Sequence, residues 1–530
     1  MVNLLSLTTH LFETYPLYTS LSALLVILVT KRRIDYWRRN PRNLPLPPGP
    51  KGYPLIGNLF DAPIEKPWLV YNEWAKVYGD MIYFEVLGQR FLILNSLEKI
   101  EDLFEKRSFN YSDRMRMPMV LELMDWYYNM AMLPYGTWWR RHRRTFNEHF
   151  HATAVWKYQP TQAREARAFL SRLLTSPENF LHHVRHTFAA TIMSIAYGVR
   201  VKGPDDPYIL NAEAALYGLA EAGIPGTFLV DFVPLLKYVP SWFPGATFKR
   251  KADRWNKINK EVYRKPFEYV EEQMKKGTAA PCLASTLIQL LPDEEDPLRE
   301  EERKIAMNVS AVTYVAGADT TVSAVQCFFL AMTMYPEVQK KAQAEIDGVI
   351  GNGRLPEFSD RQALPYINAL VKESMRWQSI IPLAVGHMAS EDDEYNGYFI
   401  PKGTVVLGNG WAILHDPAVF KDPLEYQPER YLKNGQLDPN VRQPDTGAFG
   451  FGRRMCPGRH MSDNSLYAIV SSVLAVYNIS APLDEQGKPV EMKAEVTSGL
   501  LSYPVPFKCD IKPRSLVAEV LIRDSIMADN

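Results

Sequence analysis

The chain has 530 residues, with 60 Lys+Arg against 60 Asp+Glu, 46% hydrophobic and 23% charged. That composition excludes disordered, collagen-like and coiled-coil chains, and a zero net charge removes the basic footprint of a nucleic-acid binder. Four cysteines, Cys282, Cys327, Cys456 and Cys509, are too few for a disulfide framework and show no zinc-ligand spacing, which fits a reducing compartment.

In chain order, the first feature is the uncharged stretch Thr14 to Thr30, ending in the run Leu21-Ser-Ala-Leu-Leu-Val-Ile-Leu-Val-Thr30. As helix it reaches about 25 Å, the short end of a membrane span. Lys31, Arg32, Arg33, Arg38, Arg39 and Arg42 follow, against the single acid Asp35. Basic residues after the apolar run, not before it, argue for a retained anchor rather than a cleaved signal peptide, and place everything beyond residue 31 in the cytosol. The expectation is a single-pass protein with an anchor over 1–30. Leu44-Pro-Leu-Pro-Pro-Gly-Pro50 forbids helix and stiffens the chain, so 31–50 reads as a basic, Pro-rich hinge. The sequons at Asn110, Asn308 and Asn478 are chance matches in a cytosolic body.

Next, Met81–Leu87, Gly88-Gln89 and Arg90–Asn95 read as a β-hairpin. Apolar periodicity predicts helices over 155–175, 177–198, 249–276, 302–334, 336–350 and 365–378, with shorter β signals over 395–407 and 495–508. The acidic, Pro-containing patch 291–302 reads as a surface loop. A length prior of roughly 150 residues per domain would give three or four domains. No linker interrupts the chain after residue 50, however, so 51–530 is one large unit, mainly α with small β-sheets.

The chemistry gathers in Phe449-Gly-Phe-Gly-Arg-Arg-Met-Cys456-Pro-Gly-Arg-His460. Gly450 and Gly452 permit an unusual backbone path. Pro457 suits a helix start, with an apolar pattern over Leu466–Val476. Cys456 at a helix N-terminus, near Arg453, Arg454 and Arg459, should favour its thiolate. Such a cysteine can be an inert core residue, a nucleophile or a metal ligand, and these residues alone leave the three open.

Phe449-x-x-Gly452-x-Arg454-x-Cys456-x-Gly458 resembles the haem-binding loop of the cytochrome P-450 superfamily. Glu373-x-x-Arg376, Pro428-Glu-Arg430-Tyr431 and Trp139-x-x-x-Arg143 resemble three more of its patterns in the expected order. The resemblance implies one large haem domain behind a transmembrane helix, with Cys456 as the thiolate ligand of haem b iron. It implies that Arg454, Trp139, Arg143 and His387 contact the haem propionates, with Phe449 and Gly458 completing the loop. It further implies that Glu373, Arg376 and Arg430 form a structural network. In Ala316-Gly317-Ala318-Asp319-Thr320-Thr321 it implies a distal kink where Thr320 hydrogen-bonds dioxygen and Asp319 delivers protons. Pocket residues by resemblance are Phe109, Met117, Leu123, Val312, Ala316, Ile381, Leu383 and Leu500.

Pro240-Ser-Trp-Phe-Pro-Gly245 and Ala363-Leu-Pro-Tyr-Ile-Asn-Ala369 are similar to fungal microsomal members of the O-methylsterigmatocystin oxidoreductase kind, which oxidise terpenoid, polyketide or indole metabolites. The implied activity is monooxygenation of an apolar small molecule at the endoplasmic reticulum membrane. No Gly-x-Gly-x-x-Gly fingerprint or flavin domain is appended, so electrons come from a separate NADPH-dependent reductase, docking near Arg140, Arg141, Arg144 and Arg453. A haem-thiolate isomerase or dehydratase, or a non-enzymatic haem- or lipid-binding protein, are the alternatives.

Overall fold

A computed structural model describes residues 16–203, 206–223 and 227–527. Residues 1–15, half of the expected anchor, lie outside them. Helix α1 (Pro16–Arg39) is continuous for 24 residues, about 36 Å at 1.5 Å per residue, with Val26 and Ile27 exposed. Among the described residues, the helix long and apolar enough to cross a membrane is instead Arg299–Met334, which is mostly buried inside the protein.

The segment expected to hinge is packed. Asn40 is buried and clips Leu44 twice, through Nδ2 to its carbonyl at 2.8 Å and Oδ1 to its N–H at 2.9 Å. Pro45 and Pro48 carbonyls accept from the N–H groups of Phe399 and Tyr83, both at 2.8 Å. Arg39 and Arg42 pair with Asp392 and Glu394 at 3.3 and 2.7 Å. Proline removes donors but leaves carbonyls, and those carbonyls strap the segment to the body.

Helix α2 (Pro67–Tyr78) leads into a five-stranded sheet. It comprises β1 (Met81–Val86), β2 (Gln89–Leu94), β3 (Asp113–Arg114), β4 (His387–Met388) and β5 (Val405–Gly408), ordered β1-β2-β5-β4-β3. The hairpin falls where the alternation places it, with Met81 opposite Leu94. In the short antiparallel pair of β3 and β4, Arg114 stands opposite His387. This register brings together two residues 273 positions apart in the numbering.

The rest is mainly helix: α3 (Thr137–Phe150), α4 (Gln159–Thr175), α5 (Phe180–Tyr197), α6 (Pro207–Ala222), α7 (Thr247–Lys275), α8 (Arg299–Met334), α9 (Pro336–Val349), α10 (Pro365–Trp377) and α11 (Arg459–Val476). Helix α8 is the spine, buried along most of its 36 residues. It packs closely on α5 at Gly317, where a Cβ would come within 2.8 Å of the Ile192 side chain. Two expectations are corrected. Helix α8 starts at Arg299, inside the patch read as loop, because Glu300, Glu301 and Glu302 suit its positive N-terminal end. The β signal at 495–508 is an irregular loop with a single bridge, Val496 to Pro504, since Pro504 and Pro506 cannot donate to a ladder. The strand pairing lies further on, Asp510–Pro513 against Tyr477–Ser480.

Candidate active site

Cys456 sits between a strained loop and the start of α11. Gly452 has φ +57° and approaches so closely that a Cβ would lie 2.1 Å from the Phe104 carbonyl oxygen. The Cys456 N–H donates to Phe449 O at 2.8 Å. Gly458 is the N-cap of α11, which begins at Arg459 rather than Pro457, and a Cβ on Gly458 would stand 3.9 Å from Cys456 Sγ. The Sγ therefore faces uncapped helix-terminal amides. Burial nevertheless pushes the thiol up, opposed by the Gly458 N–H, by Arg143 and Arg459, and by the Arg459 N–H. Of Arg453, Arg454 and Arg459, expected to favour the thiolate, Arg459 acts on Sγ, and the expectation is corrected for Arg453 and Arg454. Desolvation wins, and the cations acting on Sγ are Arg143 and Arg459. Arg453 is spent on the Tyr135 hydroxyl at 2.5 Å.

Arg454 turns away from Cys456. Its Nε, Nη1 and Nη2 donate to the carbonyls of Ser112, Met130 and Leu133 at 2.8, 3.3 and 2.6 Å. Its guanidinium lies 4.5 Å from the Trp139 ring centroid, so Trp139 serves as a stacking surface. Beside it is Arg114, a buried arginine that the sequence reading missed. Its Nε donates to Ala131 O at 2.9 Å and its Nη1 to Val385 O and Gly386 O at 2.6 and 3.0 Å. Burial lowers both guanidiniums, Arg454 to about 10, and Arg454 adds repulsion to Arg114. The nearby acid, Asp113, spends Oδ1 on the N–H groups of Arg114 and Tyr135.

His387 is buried, stacked on Phe104 at 4.0 Å, with Nδ1 2.6 Å from Tyr111 O. A carbonyl only accepts, so Nδ1 carries the proton and Nε2 is bare in the neutral ring. Burial, then Arg114, holds its imidazolium well below the usual range. Arg143 on α3 is half-buried, and among the described residues it has no hydrogen-bond or ion-pair partner.

Desolvated cations without a matching anion are costly. Arg114, Arg143, Arg454 and Arg459 around a thiol at a helix terminus are the donor set that a flat metal complex with two carboxylates would satisfy. The residues present fit such a group.

Behind α10, Glu373 and Arg376 have no accessible surface and form a fork, Nε to Oε2 at 2.7 Å and Nη2 to Oε1 at 2.8 Å. Arg430 Nε joins at 3.1 Å. Arg376 also donates to the carbonyls of Leu414, Pro423 and Glu425, pinning the chain that leads to the Cys456 loop.

On α8, Ala316 is exposed and Gly317 and Thr320 keep accessible surface in the middle of an otherwise buried helix. Thr320 Oγ1 donates to Ala316 O at 2.8 Å, a back-bond that loosens helix packing. Thr321 Oγ1 meets Ser462 Oγ in the first turn of α11 at 3.1 Å, so this stretch lies against the end of α11 that carries Cys456. Asp319 bonds Arg185 and Tyr503, neither of which the sequence singled out.

A cavity of about 110 Å³ is walled by Met115, Met117, Met132, Leu383 and Leu500 and reaches Arg114. It is smaller than a drug-sized ligand needs, so flexible methionines must repack around an occupant. Of the expected pocket residues, Met117, Leu383 and Leu500 line it. Val312 is core, Leu123 packs against the same core, and Ile381 is half-buried outside the wall. Phe109 is corrected: it is 72% exposed, because the turn carrying it presents that side chain outward.

A cytochrome P450 family profile matches residues 47–510. The chain belongs to the cytochrome P450 family. Cytochrome P450 monooxygenase COX2 of Coprinopsis cinerea is 53% identical, over 90% of this chain and 91% of the relative. Cytochrome P450 monooxygenase COX1 of the same fungus is 46% identical over 94% and 96%. Tryptamine 4-monooxygenase of Psilocybe cyanescens is 42% identical over 93% and 98%. This P450 is accordingly an oxidoreductase of the monooxygenase type, and its family carries haem iron on a cysteine thiolate.

Proposed function

We propose that the chain is a membrane-anchored haem-thiolate monooxygenase acting on an apolar fungal secondary metabolite of terpenoid, polyketide or indole type. The observation that carries this is the set of buried and half-buried guanidiniums of Arg114, Arg143, Arg454 and Arg459 near Cys456, only partly offset by Asp113, set against the accessible Thr320 stretch of α8. In this reading Cys456 ligates the iron, Arg114, Arg143 and Arg454 hold the propionates, and an anion beside His387 favours its donating, protonated form. The bound haem supplies dioxygen activation, with one oxygen atom going to substrate and the other to water. Thr320 positions dioxygen and Asp319 is the proton source. Apolar walls exclude water and hold the substrate by contact area rather than hydrogen bonds.

Residues 1–30 anchor the protein in the endoplasmic reticulum membrane, with the domain from residue 51 on the cytosolic side. The packed strap around Asn40 then fixes the domain close to that membrane. Electrons arrive from an NADPH-dependent reductase. Arg141 is taken by Glu301 and Glu302 at 2.5 and 2.7 Å, which leaves Arg140 and Arg144 exposed for an acidic donor.

The test is the carbon monoxide spectrum of the reduced full-length protein in microsomes. A red-shifted thiolate-type Soret band is expected, and it should vanish in Cys456→Ser. A thiolate band that survives this substitution removes Cys456 as ligand. Product formation should require both NADPH and reductase; turnover without them would make the protein an isomerase or dehydratase.

A further inference from the structure

Asp319 is buried near the middle of α8, and both its oxygens are taken. Oδ1 accepts from Arg185 Nη1 on α5 at 2.7 Å, and Oδ2 accepts from the Tyr503 hydroxyl in close contact. The Arg185 guanidinium lies over the Tyr503 ring at 5.1 Å, so the two donors also hold each other. Thr320 meanwhile bonds back to its own helix at Ala316 O. Neighbouring side chains on a helix diverge by about 100°. Asp319 therefore points toward α5 and the C-terminal loop, and it meets Thr320 only if the carboxylate leaves its partners.

Tyr503 belongs to a closed loop. Thr497 N–H donates to Tyr503 O at 2.7 Å, and Tyr503 N–H donates to Thr497 Oγ1 at 3.1 Å. The tip of this loop, Ser498 to Leu500, is cavity wall. Its base is pinned at Ser502, whose carbonyl accepts from Ser323 Oγ of α8 at 2.6 Å and whose N–H donates to Ile380 O at 2.8 Å. One short loop thus touches the substrate cavity at its tip and the acid on α8 beside its pinned base.

We propose that Arg185 and Tyr503 are positioning residues that latch Asp319 away from Thr320, and that displacement of the loop tip at Leu500 by a molecule in the cavity releases the latch. The acid is then delivered to Thr320 when the cavity is filled and is withheld when it is not. This rests on the reading of Asp319 and Thr320 as the proton relay of a haem enzyme. Losing the Tyr503 hydroxyl leaves a buried carboxylate oxygen unsatisfied, which drives Asp319 toward another donor; the Thr320 hydroxyl, one residue along the helix, is the donor the relay assigns to it.

Carbon monoxide on the ferrous holoenzyme tests this without any substrate, because its C–O stretch reads the local field beside Thr320. The infrared band is recorded for the full-length wild type, Tyr503→Phe, Arg185→Lys and Leu500→Trp, each with and without Asp319→Asn. Tyr503→Phe should shift or split the band, and the effect should disappear in the Asp319→Asn background. Leu500→Trp, which fills the cavity from the loop tip, should give the same Asp319-dependent change. Arg185→Lys, which keeps the charge, should retain the wild-type band. An unchanged band in Tyr503→Phe, or an equal change with and without Asp319→Asn, overturns the latch. An unchanged band in Leu500→Trp overturns its link to the cavity. Failure of the functional reading looks different: the wild type itself would lack the thiolate-type Soret band.

Discussion

Replacing Glu373 by Gln removes one negative charge from between two guanidiniums at a site with no solvent. Its Oε1 accepts from Arg376 Nη2, Arg430 Nε and the Gln427 N–H at 2.8, 3.1 and 2.9 Å, and its Oε2 from Arg376 Nε at 2.7 Å. In the variant an amide N–H must face an arginine donor, and both cations lose the carboxylate that pairs them among the described residues. Arg376 keeps three carbonyl acceptors, which softens the loss without neutralising it. Breaking a buried pair from one side costs about 3–5 kcal/mol, a large share of a total stability of roughly 5–15 kcal/mol. Urea unfolding of the purified holoenzyme, followed by circular dichroism and by haem release, should show a destabilisation of that size. Lys340→Ala is the control. Its partner Glu337 is as exposed as Lys340 itself, at 74% and 68%, so the loss should stay under about 1 kcal/mol. A Glu373→Gln variant within about 0.5 kcal/mol of wild type, the range of an ordinary surface change, would refute the claim that this network bears on stability.

Gly452→Ala should abolish haem incorporation. Its Cβ would overlap the Phe104 carbonyl at a positive φ, a strain of about 1–3 kcal/mol or more placed on the ligand loop itself; a normal haem-to-protein ratio would count against it. Asp231 is buried, with Oδ1 accepting the Met119 N–H at 2.9 Å and Oδ2 unpartnered among the described residues, and burial pushes its carboxyl up to about 6. The unfolded chain therefore ionises first as pH rises from about 4. Stability present below pH 4 is lost by about pH 6, by roughly 2–3 kcal/mol. Asp231→Asn should match wild type at pH 4 and exceed it at pH 7 in urea midpoint; an unaltered pH dependence would defeat this assignment. Thr320→Ala should raise NADPH consumption relative to product, and unchanged coupling would take Thr320 out of the oxygen chemistry.

Long periodic helices were legible almost to their ends: 177–198 against Phe180–Tyr197, and 302–334 against Arg299–Met334. Motif spacing likewise located the Glu373–Arg376 fork, because an i to i+3 pair is set by helix geometry alone. What failed depends on contacts between distant segments. Arg454 stands two residues before Cys456, and only the fold shows that its three donors go to Ser112, Met130 and Leu133. Arg185 and Tyr503 lie 134 and 184 residues from Asp319 and carry no motif. The proline strap misled for the opposite reason. Stiffness and missing donors are local properties, whereas the carbonyls that bind it to Tyr83 and Phe399 find their partners only in the folded chain.

A zero net charge conceals a local imbalance that decides how this fold is completed. Away from the site, cations meet acids: Arg303 forks onto Glu271, Arg514 onto Asp347 and Arg354 onto Asp360. Around Cys456 the pattern reverses. Arg114 and Arg454 are buried against carbonyl dipoles and repel each other, Arg143 and Arg459 face a thiol, and Asp113 is occupied with backbone amides. Carbonyls satisfy hydrogen bonds but do not cancel charge. Asp113 offsets part of the charge on Arg114 and Arg454, and an anion binding beside them would offset more and stabilise the folded chain by mass action. Burial, then Arg114 and Arg454, holds down the protonation of His387, and Arg143 and Arg459 pull the Cys456 thiol toward its thiolate against burial. A dianionic metal complex held there by Arg114, Arg143, Arg454 and Cys456 would relieve the repulsion and favour a donating His387 ring, and its loading would then be tied to the stability of the domain.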